Sequence, residues 1–128
     1  MKTAQIEEAV VAALRDIKGK DIEVIDTHDL TPLFERIVIA SGDSNRHVRS
    51  LARKVEDKAR EAGVEVLSTE GKEAGEWALV DLGEVVVHVM QPAVRGYYAL
   101  EELWGTGDGR SRGQRTEKTE RWGRRQGE

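Results

Sequence analysis

The chain has 128 residues, enough for one domain, and 34% of them are charged whereas only 38% are hydrophobic. Residues 105–128 hold seven Lys and Arg against four Asp and Glu, while residues 1–104 hold 13 against 20 and so carry a net charge of −7. Residues 1–104 therefore form an acidic body. Its negative charge excludes a broad nucleic-acid-binding surface and favours a basic protein partner. There is no cysteine, no signal-like segment and no apolar run of membrane-spanning length, so we expect a soluble cytoplasmic protein without disulfides.

The first half of the chain alternates between helical and strand patterns. Apolar residues at helical spacing predict a helix over residues 3–18, and alternation predicts a strand over residues 21–26. The Ile-Val-Ile run within residues 34–40 predicts a second strand that is buried on both faces. Ser44 is then the expected N-cap of a long amphipathic helix that ends at Gly63.

The second half is richer in strands. Residues 64–67 are predicted to form a short strand, and residues 77–81 and 84–90 flank Leu82-Gly83 as a hairpin with a tight turn. Pro92 begins a last helix. Beyond residue 104 large apolar residues almost disappear, so we predict an ordered domain over residues 1–104 and a disordered, basic, Gly-rich tail over residues 105–128.

The order α-β-β-α-β-β-β-α predicts an α/β fold in which a mixed five-stranded sheet packs against helices. The crossover through the long helix should make the strands at residues 34–40 and 64–67 parallel neighbours. The final hairpin should be antiparallel.

The turn between the second strand and the long helix gathers Ser41, Asp43, Ser44 and His47, which together suggest a nucleophile and a base. The pattern is not Gly-x-Ser-x-Gly, and a serine that caps a helix accepts hydrogen bonds instead of attacking a substrate. We therefore interpret Ser44 as a cap and favour a structural role for His47. No phosphate-binding glycine motif is present.

Metal chemistry has little support in the sequence. Asp21 and Glu23 share a strand face, but Asp26 points the other way, so a paired-acid Mg²⁺ site is not expected. The three histidines lack the spacing of zinc ligands. We predict no metal and no cofactor.

The hairpin carries the candidate binding residues. Trp77, Leu79 and Asp81 share one face of their strand, and His88 shares a face with Met90. Because an aspartate suits a dry core poorly, we expect Trp77 to lie partly exposed at an edge of the sheet, where tryptophan is a favoured interface anchor. His88 is either a sheet histidine satisfied by a polar neighbour or a polar anchor within an apolar patch.

Five segments in order resemble the ribosomal silencing factor (RsfS, Iojap-like) family over nearly all of residues 4–104. They are Gly19-Lys20-Asp21-Ile22, Ile39-Ala40-Ser41-Gly42-Asp43-Ser44-Asn45-Arg46-His47-Val48, Glu70-Gly71 with Trp77, Val80-Asp81-Leu82-Gly83-Glu84-Val85-Val86-Val87-His88-Val89-Met90, and Arg95 with Tyr98-Ala99-Leu100-Glu101-Glu102-Leu103-Trp104. One departure is Glu35, where the family usually has an aspartate.

The resemblance implies a nucleotidyltransferase-like topology without catalytic activity. It implies binding to the large ribosomal subunit through a basic ribosomal protein, number fourteen, at the intersubunit face. Small-subunit joining would then be blocked and translation reduced when nutrients are scarce. The resemblance further implies a possible homodimer. It implies neither binding to a membrane nor recognition of a specific nucleic-acid sequence.

On this interpretation the predicted contact residues are Trp77, Asp81, His88, Met90 and Tyr98, while Arg46 and His47 are either rim contacts or residues that fix the turn. Two alternatives stay open. One is a metal-dependent, nucleotidyltransferase-like nucleotide binder, and the other is an RNA-binding ribosome accessory factor that acts through the basic tail.

Overall fold

The computed structural model describes the backbone of residues 2–98 and the side chains of residues 2–95. Within these residues the elements are α1 Thr3–Asp16, β1 Lys20–Asp26, β2 Arg36–Ser41, α2 Asn45–Glu61, β3 Ser68–Glu70, β4 Trp77–Asp81, β5 Val85–Met90 and α3 Pro92–Tyr98. The predicted order of helices and strands is confirmed. The predicted tail over residues 105–128, and the last helix beyond Tyr98, lie outside the described residues.

The five described strands form one mixed sheet in the order β1-β2-β5-β4-β3. β2 and β5 are parallel, whereas the other neighbouring pairs are antiparallel. β2 is an inner strand, and its Ile37, Val38 and Ile39 have no exposed surface, which confirms burial on both faces. The predicted α/β class is confirmed, and the sheet is compatible with a nucleotidyltransferase-like topology.

Two predictions about the third strand are wrong. Residues 64–67 form no strand, because β3 lies at Ser68–Glu70 and Val64 instead packs into the core from the preceding loop. β2 and β3 are also not neighbours, since β5 and β4 lie between them. β5 has six buried residues and can pair along all of β2, whereas β3 has only three residues. The longer apolar strand therefore takes the central place.

Each face of the sheet carries its own apolar cluster. Helices α1 and α2 pack against each other and cover one face, where Val48 and Leu51 of α2 are fully buried. On the other face Phe34, from the β1–β2 connection, joins a cluster whose members from the sheet are Ile25, Ile37, Ile39, Leu79, Val86 and Met90. None of the described helices has the length and apolar character that a membrane crossing requires.

The hairpin of β4 and β5 turns as predicted. Gly83 has φ +88°, a conformation that side chains with a Cβ rarely adopt, and the Leu82 N–H donates to the Val85 carbonyl at 3.0 Å. This turn brings β4 and β5 together with Trp77 opposite Met90 and Leu79 opposite His88. It therefore assembles most of the predicted contact residues on one face.

Candidate functional site

Trp77 begins β4 and is partly exposed. β3 pairs only with Leu79, Val80 and Asp81, so Trp77 lies beyond the end of that edge strand. Its indole Nε1–H donates to His88 Nδ1 at 2.8 Å, and the two ring centroids are 5.7 Å apart. One end of the indole is therefore fixed to the sheet, while the side chain keeps accessible surface.

His88 is fully buried beneath this tryptophan. Burial lowers its pKa from 6.5 to about 3, since a charged imidazolium would lose its hydration. Because Nδ1 accepts the Trp77 hydrogen bond, the neutral ring carries its proton on Nε2. The Nδ1 atom of His88 is thus satisfied by a polar neighbour, as one of the two interpretations had it, and that neighbour is the candidate anchor itself.

Met90 and Asp81 are also buried. Met90 lies opposite Trp77 across the β4–β5 pair and has no exposed surface. Asp81 is only 5% exposed, so the expectation that this carboxylate would avoid the interior is wrong. Its Oδ1 accepts the Gly83 N–H at 2.8 Å, which compensates part of the burial. Burial raises the pKa of Asp81, and the Gly83 hydrogen bond opposes the rise.

The predicted contact residues of the hairpin are therefore neighbours, but they differ in accessibility. Trp77 alone among Trp77, Asp81, His88 and Met90 keeps substantial exposed surface, and the other three lie at or below 5% exposure. Tyr98 is the last described residue of α3, and its side chain lies outside the described residues.

A buried arginine that sequence reasoning left without a role connects α3 to this sheet. Arg95 is 8% exposed, and its guanidinium donates to Ser41 Oγ at 2.9 Å at the end of β2. Ser41 is itself 2% exposed. The only sequence signal was the presence of Arg95 in a segment of the resemblance, because neither helical spacing nor charge pattern predicts burial.

The turn before α2 is held by its own side chains. Ser44 Oγ accepts the His47 N–H at 3.1 Å, which confirms Ser44 as the N-cap. His47 Nδ1 accepts the Asp43 N–H at 2.8 Å, and its Nε2 donates to the Ile17 carbonyl at 2.7 Å. Both ring nitrogens are thus occupied by backbone groups, so His47 fixes the turn and is not placed as a base for Ser44.

Arg46, the other candidate at this turn, is exposed. It lines a surface groove together with Arg49, Ser50, Arg53, Lys72 and Glu73. None of the residues that line this groove belongs to the β4–β5 hairpin that carries Trp77. The groove was not predicted from the sequence.

Glu35, the departure from the family pattern, has a local partner. Its Oε2 lies 2.6 Å from His28 Nδ1, and this hydrogen bond together with the Glu35 charge raises the pKa of His28. The next residue, Arg36, pairs with Glu7 and Asp26. The side chain of Glu35, which is longer than that of the aspartate usual in the family, therefore contacts the β1–β2 connection of its own chain.

The described residues contain no group of three or more His, Asp and Glu side chains that could hold a metal ion. Asp26 Oδ1 accepts the His28 N–H at 2.9 Å and pairs with Arg36, while Asp21 and Glu23 are exposed. These acids do not form the paired site that a metal-dependent transferase would need.

A family model described as "Ribosomal silencing factor during starvation" matches residues 1–127. The chain belongs to this family. A Chromobacterium violaceum protein named "Ribosomal silencing factor RsfS" is 56% identical over 105 residues, which are 82% of this chain and 86% of that protein. A mouse protein named "Mitochondrial assembly of ribosomal large subunit protein 1" is 33% identical over 76% of this chain and 44% of its own length.

The fold of the family agrees with the fold described above. A crystal structure of a Chromobacterium violaceum protein superposes with a TM-score of 0.81 at 54% identity, covering 84% of this chain and 91% of that one. Membership of the family, which the five segments had indicated, is thus supported by both sequence and structure.

Proposed function

We propose that this protein represses translation by occupying the face of the large ribosomal subunit that the small subunit must reach. The observation that carries the proposal is membership of the RsfS family over nearly the whole chain. The name of the mouse relative refers to assembly of the large subunit, which supports that subunit as the partner. Repression by steric exclusion requires no catalytic group, so we infer a regulatory protein and not an enzyme. Because the proposed partner is the ribosome, we also infer that the protein is cytoplasmic.

The direct partner in this proposal is the basic ribosomal protein numbered fourteen at the intersubunit face. The net charge of −7 over residues 1–104 supports a basic partner, because opposite potentials speed encounter and disfavour wrong partners. A homodimer is a separate proposal, which sedimentation equilibrium of the purified protein tests.

Within this proposal Trp77 is the residue that touches the partner, and the buried residues around it hold it in position. Trp77 combines accessible surface with an indole nitrogen already bonded to His88. Met90 lies opposite it, and Asp81 fixes the turn of the same hairpin. A side chain that is ordered before binding loses less conformational entropy on binding. Tyr98 is proposed as a second contact on α3.

The test is sedimentation of the purified protein with separated ribosomal subunits, followed by a subunit-joining assay. We expect the parent to travel with the large subunit alone and to suppress joining. Trp77→Ala should weaken binding by about 2 kcal/mol, roughly thirtyfold, because it removes a central anchor. Thermal unfolding checks that Trp77→Ala is folded. If Trp77→Ala does not fold, Trp77→Phe, which retains an aromatic ring, is tested in its place.

Leu67→Ala is the matched control, since Leu67 is an exposed large apolar residue, 55% accessible, and is not one of the proposed contacts. It should bind as the parent does. Equal binding by the parent and the folded Trp77 variant would contradict the proposed contact surface. Absence of the parent from both subunits would contradict the function.

A further inference from the structure

The groove lined by Arg46, Arg49, Ser50, Arg53, Lys72 and Glu73 has a volume of about 410 Å³. Its three arginines follow one another at helical spacing along α2, at positions i, i+3 and i+7, so they lie on one face of the helix. Seven residues of helix advance about 10 Å. The groove therefore carries a row of guanidinium groups on an otherwise acidic body.

The loop that faces this row is held close to the start of α2. Gly75 has φ +73°, and a Cβ at this position would lie 2.6 Å from the Asn45 carbonyl oxygen. The Gln91 side-chain amide donates to the Gly75 carbonyl at 3.0 Å and also to the Asn45 side chain. The close approach of Gly75 to Asn45 and the Gln91 hydrogen bonds thus hold the two walls of the groove together, in addition to any contact that the arginines make.

The arginines are available for an external anion. Arg46 and Arg53 are exposed, and neither has a carboxylate within ion-pair distance among the residues with described side chains. Arg49 donates to the backbone carbonyl of Glu73 at 3.1 Å, which leaves its charge uncompensated. Lys72 is paired with the buried Glu56, outside the lining. Since Glu56 compensates Lys72, the three arginines and the single carboxylate of Glu73 leave the groove with a net charge of +2.

We propose that this groove binds the phosphodiester backbone of RNA and that it supplies a second contact of the protein with the large ribosomal subunit. The inference rests on the proposed function in so far as it places that RNA on the ribosome. Guanidinium groups bind phosphate oxygens through paired hydrogen bonds. The row is about 10 Å long, which is enough for its guanidinium groups to contact more than one phosphate of a single strand.

The chemistry of the lining favours RNA over an acidic peptide. Every lining residue is charged or is Ser50, and none is apolar. Grooves that bind peptides usually add apolar pockets for alternate side chains, and this one has none. The acidic remainder of the body repels phosphate, so RNA should bind in this groove and not across a broad surface.

The first experiment measures binding of a short fluorescent oligouridylate by anisotropy between about 50 and 200 mM salt. The groove variant is Arg46→Gln/Arg53→Gln. The control, Lys2→Gln/Arg15→Gln, removes the same amount of charge from two exposed residues, of which Arg15 lies in α1 and Lys2 immediately precedes it. We expect the groove variant to bind at least about tenfold more weakly. The slope of log affinity against log salt should fall by about 1.4, which corresponds to two lost phosphate contacts. The control should change affinity less than about twofold.

Equal losses in the two double variants would overturn the inference, because net charge alone would then explain binding. Two competitors at matched ionic strength provide further arms. Complete displacement of the oligonucleotide by inorganic phosphate would mean a small-anion site, and displacement by polyglutamate as effective as by unlabelled RNA would mean a site for acidic chains. Either result would overturn the assignment to RNA.

Binding of the same variants to large ribosomal subunits separates this inference from the proposed function. If the parent binds the subunit and the groove variant binds both subunit and oligonucleotide unchanged, the groove inference fails while the function stands. The opposite result is that the parent does not bind the subunit but does bind the oligonucleotide, and that the groove variant has lost this oligonucleotide binding. In that case the proposed function fails and the RNA groove stands.

Discussion

At the scale of single residues, the hydrogen bond between Trp77 and His88 joins an accessible side chain to a buried one. The bond is possible only while His88 is neutral at Nδ1. Protonation would remove the acceptor. It would also place a charge in the interior, and this burial is the reason for the pKa of about 3. The orientation of the proposed anchor and the stability of the sheet therefore depend on the same proton.

This gives a prediction for the effect of pH on stability. The unfolded chain binds a proton at His88 near pH 6.5, whereas the folded protein does so only near pH 3. Between these values the unfolded state holds more protons, so the free energy of unfolding falls as pH drops below 6.5, approaching about 1.4 kcal/mol per pH unit. Above pH 6.5 the contribution of His88 is constant.

Urea unfolding between about pH 5 and 7.5, above the range of ordinary carboxylates, measures this dependence. In His88→Gln, which has no titrating ring, the fall below pH 6.5 should be smaller than in the parent. His28 is common to both proteins, so its own raised pKa cancels in the difference. Identical pH profiles would contradict the buried, neutral state of His88.

At the scale of elements, α2 is the helix whose limits the sequence predicts best. Ser44 caps it, and Asn45–Glu61 carries the expected apolar stripe. Ser44→Ala should lower the free energy of unfolding by about 1 kcal/mol, since the His47 N–H loses its acceptor. Ser50→Ala in the exposed middle of the same helix is the control and should be neutral or slightly stabilising. Urea unfolding measures both, and equal losses would mean that the cap contributes nothing specific.

β3 depends on a polar contact with α2. Glu56 is 5% exposed and accepts hydrogen bonds from Thr69 Oγ1 at 2.5 Å and Lys72 Nζ at 3.0 Å. Burial by itself raises the pKa of Glu56, but the bonds from Thr69 and Lys72 and the charges of Lys72 and Arg60 outweigh it, so the pKa is lowered. The charged carboxylate thus ties β3 and its following loop to the helix.

Glu56→Gln keeps the shape of the side chain but removes its charge. The free energy of unfolding should fall by about 1–3 kcal/mol, because Lys72 loses its charged partner. The exposed pair of Lys58 and Glu61 provides the control, and Glu61→Gln should change stability by less than about 0.5 kcal/mol. Hydrogen exchange at β3 amides should increase only in Glu56→Gln. An unchanged β3 would contradict the role of this contact.

At the scale of the whole molecule, charge separates the acidic body from the segment after residue 104, which holds seven cations and four acids. Deleting residues 105–128 should leave association with the large subunit unchanged, since the proposed contacts lie in the body and the small net charge of the tail can release few counterions. Sedimentation with large subunits measures this. Total loss of binding would instead favour the accessory factor that acts through its tail.

Periodicity and the Ser44 signal were enough to predict the order of elements, the α/β class and the N-cap of α2, because these depend on local spacing. The five segments together indicated the family. The strand at Ser68–Glu70 was missed because three residues, Ser-Thr-Glu, have no apolar alternation, and their place is set by β4 and by Glu56. Val64 and Val66 have the alternate spacing of a strand but pack against the core from a loop.

The sequence by itself determined the order of helices and strands, where the acidic charge lies and which family the chain resembles, since all three can be read along the chain. Only the tertiary structure decided that β5 lies beside β2, that Asp81, His88 and Met90 are buried under a partly exposed Trp77, and that Arg46, Arg49 and Arg53 face Lys72 across a groove. These facts depend on pairings between residues far apart in the chain. Such pairings are chosen by the total buried area and by polar groups that must find partners, and no local pattern encodes that competition.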